Sequence, residues 1–212
     1  MTVIRVLIVD DHAVVRQGIK HILQEDERME VVAETTNGAE ALEYLLYNPV
    51  DIVIMDISMP GMSSLEAIRH MRHDYPRTAI LVLSVHPEEQ YATRALRTGA
   101  AGYLTKNSAP EELIIALSRV ARGHRYISQT LAERLALDLQ EGVTRPLYEH
   151  LSDREYEVFR RLAIGQTVQQ IGQDLMLSPK TVSTYRTRMM KKMRMKTRGE
   201  LMRYAVSHGL VE

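Results

Sequence analysis

The first 121 residues alternate between short apolar runs and longer amphipathic segments, five of each. Apolar runs of this length are typical of strands covered on both faces, and helices then connect the strands as parallel neighbours. The alternation therefore predicts an α/β fold with a doubly wound, five-stranded parallel sheet. We expect strands at residues 3–9, 29–34, 50–55, 79–83 and 101–104, and helices at residues 13–25, 38–47, 64–74, 88–98 and 110–121.

The rest of the chain has a different pattern, which predicts a second domain. Turn and breaker residues indicate a linker, with one short helix over residues 128–139 capped by Ser128. The residues after the linker have helical periodicity throughout, so this domain is all-α. The predicted domains are residues 1–121, 122–147 and 148–212, and the last has helices at 153–164, 168–175, 179–194 and 198–208.

The charges are unevenly distributed between the two predicted domains. The chain holds 27 basic and 27 acidic residues, yet residues 145–212 hold 13 basic and 7 acidic ones, which leaves 14 and 20 for the rest. An asymmetry of this kind indicates that the two parts have different partners and that the basic part binds a polyanion.

Composition excludes several classes of site. The chain has no cysteine, which rules out disulfides, thiolate metal sites and cysteine nucleophiles and fits the cytoplasm. No apolar run approaches the roughly 18 residues of a membrane span, and the N-terminal apolar run is too short for a signal peptide. We therefore expect a cytoplasmic protein without a membrane partner.

Polar side chains follow four of the five predicted strands, at the edge where the carboxyl ends of parallel strands meet. Three carboxylates packed together repel one another unless a cation joins them, and oxygen ligands favour Mg²⁺. With an ammonium group, the ion would neutralise a phosphoryl group carried by a nucleophilic aspartate. The residues are Asp10 and Asp11 after strand 1, Asp56 after strand 3, Ser84 ending strand 4, and Thr105 and Lys106 after strand 5.

The motifs VLIVDDH, IVIMDISMPGM, LVLSVH and GYLTKN resemble those of a response-regulator receiver domain, which has a flavodoxin-like fold. The resemblance implies that Asp56 is the phosphoacceptor. It also implies that Mg²⁺ is held by Asp10, Asp11, the Asp56 carboxylate and the backbone carbonyl of Ser58. None of the scattered histidines is interpreted as a metal ligand, namely His12, His86 and His124.

The same resemblance assigns the groups that respond to the phosphoryl group. It implies that Ser84 and Lys106 bind the phosphoryl oxygens and that Tyr103 is the aromatic side chain that rotates in the active state. Without the resemblance, the favoured interpretation of Tyr103 is a half-buried strand tyrosine that fills space. Ser84 stands where the family more often has Thr, which keeps the hydroxyl, and Ser64 stands where Gly is usual.

The segment KTVSTYRTRMMKKMRMKTR contains eight lysines and arginines and no acidic residue. Val182, Met189 and Met193 recur at helical spacing, with Tyr185 or Arg186 between them, so one side of the helix packs. The other side is basic with short polar side chains, which suits the phosphate backbone and the major groove of DNA. A solvated basic face is the alternative.

The preceding residues favour the DNA interpretation. QTVQQIGQDLMLSPKTV predicts a short helix, a tight turn and a second helix, which is the helix-turn-helix layout. LSDREYEVFRRLAIGQTVQQIGQDLMLSPKTVSTYRTRMMKKM resembles the output domain of LuxR/FixJ (NarL-type) regulators, and is most similar to their GacA/UvrY-like branch. The resemblance places these residues near bases or phosphates: Lys180, Thr181, Ser183, Thr184, Tyr185, Thr187, Arg188 and Lys191.

Several surfaces are candidates for self-association. The final helix, with Leu201, Tyr204 and Ala205, is either a dimer face or packs within its own domain. The segments 88–98 and 110–121 are also candidate dimer surfaces, and the sequence does not choose between them.

These interpretations predict a DNA-binding transcriptional response regulator of a two-component phosphorelay. A sensor histidine kinase or a small acyl phosphate would phosphorylate Asp56 with Mg²⁺, and homodimerisation would then control binding to double-stranded promoter DNA. The main alternative is a regulator that binds DNA independently of phosphorylation and uses its receiver only for dimerisation. An aspartyl-phosphate enzyme is disfavoured because Ser58 stands where a second Asp is needed, and residues 151–210 disfavour a stand-alone adaptor. We expect no enzyme activity beyond self-phosphorylation and autodephosphorylation.

Overall fold

The computed structural model of the chain describes residues 3–59, 61–133 and 146–211. Contacts divide the chain into two compact units, Met1–Glu133 and Arg134–Glu212. The first unit thus continues past residue 121, and the predicted domain boundaries at 121 and 147 remain predictions. Within the described ranges, no helix has both the length and the apolar character needed to cross a bilayer.

The first unit is built on a five-stranded sheet in the order β2-β1-β3-β4-β5, and all of its strand pairs are parallel. This topology confirms the predicted α/β, doubly wound fold. Each connection between strands contains a helix, as parallel pairing requires. The strands are β1 (Ile4–Val9), β2 (Met29–Thr35), β3 (Ile52–Met55), β4 (Ala79–Ser84) and β5 (Gly102–Thr105).

Five helices cover the sheet, and each lies where the amphipathic pattern predicts it. Asn37 caps the second helix by accepting a hydrogen bond from the backbone N–H of Glu40, and Gly99 ends the fourth with φ of 120°. The helices are α1 (Ala13–Gln24), α2 (Gly38–Tyr47), α3 (Ser64–Asp74), α4 (Glu88–Thr98) and α5 (Pro110–Ala121).

The central strands are buried on both faces, which explains why their sequences are continuously apolar. All four residues of β3 are buried. Alternate side chains of β1, β3 and β4 pack with α1 and α5 in one cluster, which includes Ile8, Ile54, Leu81, Leu23 and Leu117. Burial on both faces fixes the register of the strands, since a slip of one residue would exchange the two faces.

The strand β3 begins at Ile52, two residues later than predicted. The carboxylate of Asp51 accepts a hydrogen bond from the backbone N–H of Arg5 at 2.7 Å. The carbonyl of Val50 accepts one from the Thr78 hydroxyl at 2.8 Å. These residues therefore form side-chain contacts at the start of the sheet, which an apolar run in the sequence does not reveal.

In the second unit, a 3₁₀ turn at Leu147–His150, which the sequence did not predict, is followed by residues 151–211, which are all-helical as predicted. The helices of this unit are α6 (Asp153–Ala163), α7 (Val168–Asp174), α8 (Pro179–Lys192) and α9 (Arg198–Ser207). At the start of each of these four helices, a side-chain cap accepts a hydrogen bond from a backbone N–H group. The caps are Ser152 with Glu155, Thr167 with Gln170, Ser178 before Pro179, and Thr197 with Glu200.

The predicted linker helix begins at residue 129 and is described through residue 133. Ser128 accepts a hydrogen bond from the backbone N–H of Leu131 at 3.1 Å, which is the predicted cap. The rest of the predicted helix, residues 134–139, lies outside the described residues.

Candidate functional site

The backbone of the acidic edge is fixed by hydrogen bonds that continue past the ends of the strands. The backbone N–H of Asp56 donates to the carbonyl of Val9 at 2.9 Å, and that of Lys106 donates to the carbonyl of Ser84 at 2.7 Å. The backbone N–H of Asp10 donates to the carbonyl of Thr35 in β2 at 3.1 Å. The three functional side chains therefore start from rigid backbone positions.

Lys106 joins two buried carboxylates. Its Nζ lies 2.6 Å from Asp10 Oδ2 and 3.0 Å from Asp56 Oδ2. Asp10 and Asp56 are each only 2% exposed. Two carboxylates and one ammonium leave a net negative charge in a buried place, which is costly unless a further cation is bound.

Burial shifts the pKa of both Asp56 and Lys106, but it decides the direction only at Asp56. Burial raises the pKa of Asp56, although the Lys106 ammonium opposes this shift. Burial lowers the pKa of Lys106, but its hydrogen bond to Asp10 and the charge of Asp56 outweigh burial, so the pKa is raised overall. The lysine therefore stays charged, and the negative charge that it balances is shared between two aspartates.

Asp11 and His12 complete an oxygen- and nitrogen-bearing cluster at this edge. One ligand atom from each of Asp10, Asp11, His12 and Asp56 lies within 4.8 Å of the others. The Nδ1 of His12 is 2.8 Å from Asp11 Oδ1, and the backbone N–H of His12 donates to Asp10 Oδ1 at 2.8 Å. Ser58 is close too, since its backbone N–H donates to Asp56 Oδ1 at 3.3 Å. The structure therefore brings His12, which the sequence interpretation left out, to the acidic cluster.

The hydroxyls of Ser84 and Tyr103 both form hydrogen bonds with the backbone of His86. The hydroxyl of Ser84 is fully buried and accepts a hydrogen bond from the backbone N–H of His86 at 3.1 Å. Tyr103 is also fully buried, and its hydroxyl donates to the carbonyl of His86 at 2.9 Å. The His86 ring stacks on Tyr91 of α4, with ring centroids 5.1 Å apart. Sequence reasoning found Ser84 and Tyr103, but it considered His86 only as a metal ligand and did not single out Tyr91.

The two helices α7 and α8 are joined by a tight turn. Met176 has φ of 53°, in the left-handed region. A Cβ on Gly172 would lie 2.7 Å from the carbonyl oxygen of Leu177, so the turn packs against a position that only glycine fits. The short helix, tight turn and longer helix give the predicted helix-turn-helix layout.

One side of α8 is packed and the other is exposed. Val182, Met189 and Met193 are at most 1% exposed. Of the predicted DNA-contacting residues, Thr181 and Tyr185 are half-buried. The others are exposed: Lys180, Ser183, Thr184, Thr187, Arg188 and Lys191.

Two basic side chains of the segment are engaged within the unit. Lys192 Nζ lies 2.5 Å from the buried Glu155, which also caps α6. Arg198 donates to the carbonyl oxygens of Leu162 and Gln166 at 3.1 Å. Besides these two, the exposed basic side chains of the segment are Lys180, Arg186, Arg188, Lys191, Arg194 and Lys196.

The final helix packs within its own unit through the residues that were candidates for a dimer face. Leu201 and Ala205 are at most 1% exposed. The Tyr204 ring meets Phe159 edge-on and stacks on His208. These contacts favour the alternative of packing inside the domain.

Comparisons with known proteins match both parts of the chain to known families. Residues 6–118 match the response regulator receiver domain, and residues 149–205 match the luxR family of bacterial regulatory proteins. Response regulator UvrY of Escherichia coli (strain K12) is 40% identical over 208 residues, which cover 98% of this chain and 95% of UvrY. Response regulator GacA of Pseudomonas viridiflava is 40% identical over 210 residues, which cover 99% of this chain and 98% of GacA.

Solved structures of a response regulator are also similar to this chain. RcsB from Salmonella enterica serovar Typhimurium, bound to the promoter rprA in the presence of the phosphomimetic BeF3⁻, has a TM-score of 0.67 at 27% identity. That match covers 96% of this chain and 98% of RcsB. Another structure of the RcsB response regulator, from Salmonella typhimurium, has a TM-score of 0.72 at 27% identity and covers 98% of this chain and 99% of that one. The chain therefore belongs to the LuxR family of two-component response regulators, in which a receiver domain is followed by a helix-turn-helix DNA-binding domain.

Proposed function

We propose that Asp56 is the phosphoacceptor that controls DNA binding by this transcription regulator. The observation that carries the proposal is the buried Asp10–Lys106–Asp56 arrangement at the carboxyl ends of β1, β3 and β5. An Asp56 carboxylate oxygen attacks phosphorus and forms an O–P bond. The bond from phosphorus to the donor breaks, and the donor, a histidine of a sensor kinase or the acetate of acetyl phosphate, leaves with the electron pair.

The donor set fits Mg²⁺. Asp10, Asp11 and the Asp56 carboxylate, with the backbone carbonyl of Ser58, would hold the ion, because oxygen ligands suit this hard cation and the pocket has an excess of negative charge. When bound, Mg²⁺ neutralises phosphoryl oxygens during transfer. The exposed imidazole of His12 neighbours this set and is able to move away without disturbing the core, since its side chain is 65% exposed.

Lys106 and Ser84 are proposed to hold the phosphoryl oxygens once Asp56 is modified. Lys106 already contacts Asp56, so its ammonium needs little movement to reach the added charge. The Ser84 hydroxyl accepts a hydrogen bond from the backbone of His86 and has its own proton to donate. Turning that hydroxyl towards the phosphoryl group would pull on the loop after β4, to which Tyr103 is bonded. A phosphoryl group would thus shift an equilibrium between two arrangements of this loop.

The exposed side of α8 is proposed to enter the major groove of promoter DNA. Lys180, Arg188 and Lys191 supply charge for the phosphates. The hydroxyls of Thr184 and Thr187 donate to carbonyls one turn earlier in α8, both at 3.0 Å. Their protons are therefore used within the helix, and what they offer DNA is an acceptor oxygen and a methyl group. Those groups suit base amino groups and thymine methyls better than phosphates.

We propose further that phosphorylation promotes homodimerisation, which aligns two helix-turn-helix units on two half-sites. The RcsB structure bound to promoter DNA with a phosphomimetic supports this proposal by analogy. A sensor histidine kinase is the expected phosphodonor, and the cytoplasm, where promoter DNA lies, is the expected location. Self-phosphorylation from acyl phosphates and autodephosphorylation are the only reactions we attribute to the chain.

The proposal is tested by measuring DNA affinity and mass in solution with and without acetyl phosphate and Mg²⁺. Fluorescence anisotropy with a labelled mixed-sequence duplex gives affinity, and light scattering gives the oligomeric state. We expect wild type and the control Asp74→Asn, which changes an exposed carboxylate, to dimerise and bind several-fold more tightly when treated. Asp56→Asn is expected to respond to neither. A treated wild type that carries phosphate but binds DNA as the untreated protein does would favour phosphorylation-independent regulation.

A further inference from the structure

Residues 122–133 pack along the outer edge of the sheet. The backbone N–H of Tyr126 donates to the carbonyl of Ala101 at 2.9 Å, and Tyr126 forms a parallel bridge with Gly102. Because β5 is the last strand in the sheet order, its outer edge would otherwise present unpaired backbone groups. A Cβ on Gly102 would lie 2.8 Å from the Tyr126 carbonyl oxygen, so a glycine is needed for this approach.

The side chain of Tyr126 fastens this segment to α5. Tyr126 is 9% exposed, and its ring belongs to the cluster formed by the sheet with α1 and α5. Its hydroxyl donates to Glu112 Oε1 at 2.7 Å. The attachment therefore combines apolar burial, a backbone hydrogen bond and a charge-assisted hydrogen bond, and it is the stronger of two anchors.

The second anchor is a side-chain contact with α4. The Ser128 hydroxyl donates to Glu88 Oε2. Ser128 Oγ also accepts a hydrogen bond from the backbone N–H of Leu131 and so caps the helix that begins at residue 129. Leu131 is 3% exposed. The segment thus crosses the edge of β5 from α5 to α4, with the start of the linker helix held at the α4 end.

Both anchors adjoin the residues proposed to respond to phosphate. Gly102, which forms the β-bridge with Tyr126, is next to Tyr103 in β5. Glu88, the first residue of α4, lies four positions after Ser84, at the end of the loop whose His86 carbonyl accepts the Tyr103 hydroxyl. A shift of that loop would move Glu88 relative to β5, whereas Tyr126 would remain paired with β5. Such a shift would therefore stretch or break the hydrogen bond between Ser128 and Glu88.

We infer that residues 122–133 form a strap that holds α4 against the edge of β5, and that phosphorylation of Asp56 opens it at the contact between Ser128 and Glu88. The inference rests on the proposed function of Asp56. Opening would free the first turn of the linker helix while Tyr126 stays attached. The strap would thereby pass the state of the phosphoacceptor to the chain that leads towards the DNA-binding unit.

Hydrogen exchange followed by mass spectrometry on the full chain tests the strap. The peptide spanning residues 127–133 contains the amides of Leu131 and Ala132, whose hydrogen bonds are made to Ser128. Glu88→Ala should speed exchange in this peptide about tenfold without phosphate. Glu111→Ala, an exposed carboxylate in the first turn of α5, is the matched control. Glu88→Gln keeps an acceptor oxygen and should retain most of the protection.

The phosphate arm uses Mg²⁺ and acetyl phosphate, with phosphoryl uptake checked by intact mass in the same sample. Phosphorylated wild type should exchange as fast as Glu88→Ala, and phosphorylation should add little to that variant. Uptake of phosphate with unchanged exchange in wild type would overturn the strap inference and leave the proposed function intact. Equal exchange in Glu88→Ala and Glu111→Ala would also overturn it. Absence of uptake would instead overturn the phosphoacceptor proposal, and the trigger of the strap with it.

Discussion

The hydroxyl of Tyr103 donates to the backbone carbonyl oxygen of His86 at 2.9 Å, with the tyrosine fully buried. This bond joins β5 to the loop after β4, the same loop whose backbone N–H is bonded to Ser84. The switch tyrosine implied by the family resemblance is therefore turned inwards and held by hydrogen bonding as well as by packing.

Replacing Tyr103 with Phe should remove this bond while keeping the ring. We expect a loss of about 1 kcal/mol in the free energy of unfolding, because the hydrogen bond from the buried Tyr103 hydroxyl to the His86 carbonyl is lost. Urea unfolding measures the loss. Tyr47→Phe is the control, since that side chain is 81% exposed. A Tyr103→Phe variant as stable as the control would show that the bond contributes little.

Replacing Lys106 with Met should leave two buried carboxylates without their ammonium. We expect the free energy of unfolding to fall by about 3 kcal/mol at neutral pH without metal, since an uncompensated buried charge is costly. Added Mg²⁺ should recover part of the loss. Lys20→Met removes a more exposed lysine that pairs with Glu34 at 2.6 Å and should cost at most about 1 kcal/mol. Equal losses for the two variants would contradict the assigned role of Lys106 in the acidic pocket.

Protonation of Glu155 should make the second unit less stable in acid. Burial raises the pKa of Glu155, but hydrogen bonds from Lys192 and Ser152 outweigh burial, so the pKa lies below its ordinary value of 4.5. A lowered carboxylate pKa gives stability that is present above about pH 5 and is lost as the pH falls through the folded-state pKa. Glu155→Gln should flatten this part of the stability profile in urea unfolding. Asp174→Asn, which changes a 41% exposed carboxylate, should leave the profile nearly as in wild type.

Arg188 should contribute charge to DNA binding. Arg188→Ala is expected to weaken binding to duplexes of different sequence to a similar degree and to lower the slope of log affinity against log salt by about 1. Anisotropy titrations at several salt concentrations measure the slope. Arg203→Ala, an exposed arginine of α9, is the control and should leave the slope unchanged. A slope that is unchanged in Arg188→Ala would place this side of α8 away from DNA.

The sequence was sufficient to predict the sheet and the place of the acidic pocket. Continuous apolar runs identify strands buried on both faces, and parallel strands must bring their carboxyl ends to one edge. Asp10, Asp56 and Lys106 follow from that rule, and their contacts in the structure have the expected partners. Strand ends were less predictable, since β3 begins at Ile52 rather than Val50.

The contacts that the sequence did not reveal depend on side-chain direction between distant segments. His12 turns back to Asp11, and Arg16 donates to the Asp10 carbonyl at 2.7 Å, but neither follows from helical periodicity. A count of charges in α8 does not show that Lys192 points to Glu155. The only residue in the sequence that hints at the packing of Tyr126 on β5 is Gly102. Its role, which is to leave room for the Tyr126 backbone, is evident only from the structure.

Intact-mass measurement after incubation with Mg²⁺ and acetyl phosphate tests the central claim most directly. Wild type and Asp74→Asn should each gain one phosphoryl group, and the gain should be absent in Asp56→Asn and in wild type treated with EDTA. A phosphoryl group that appears equally in Asp56→Asn, or that is indifferent to EDTA, would contradict the assignment of Asp56 as a Mg²⁺-dependent phosphoacceptor.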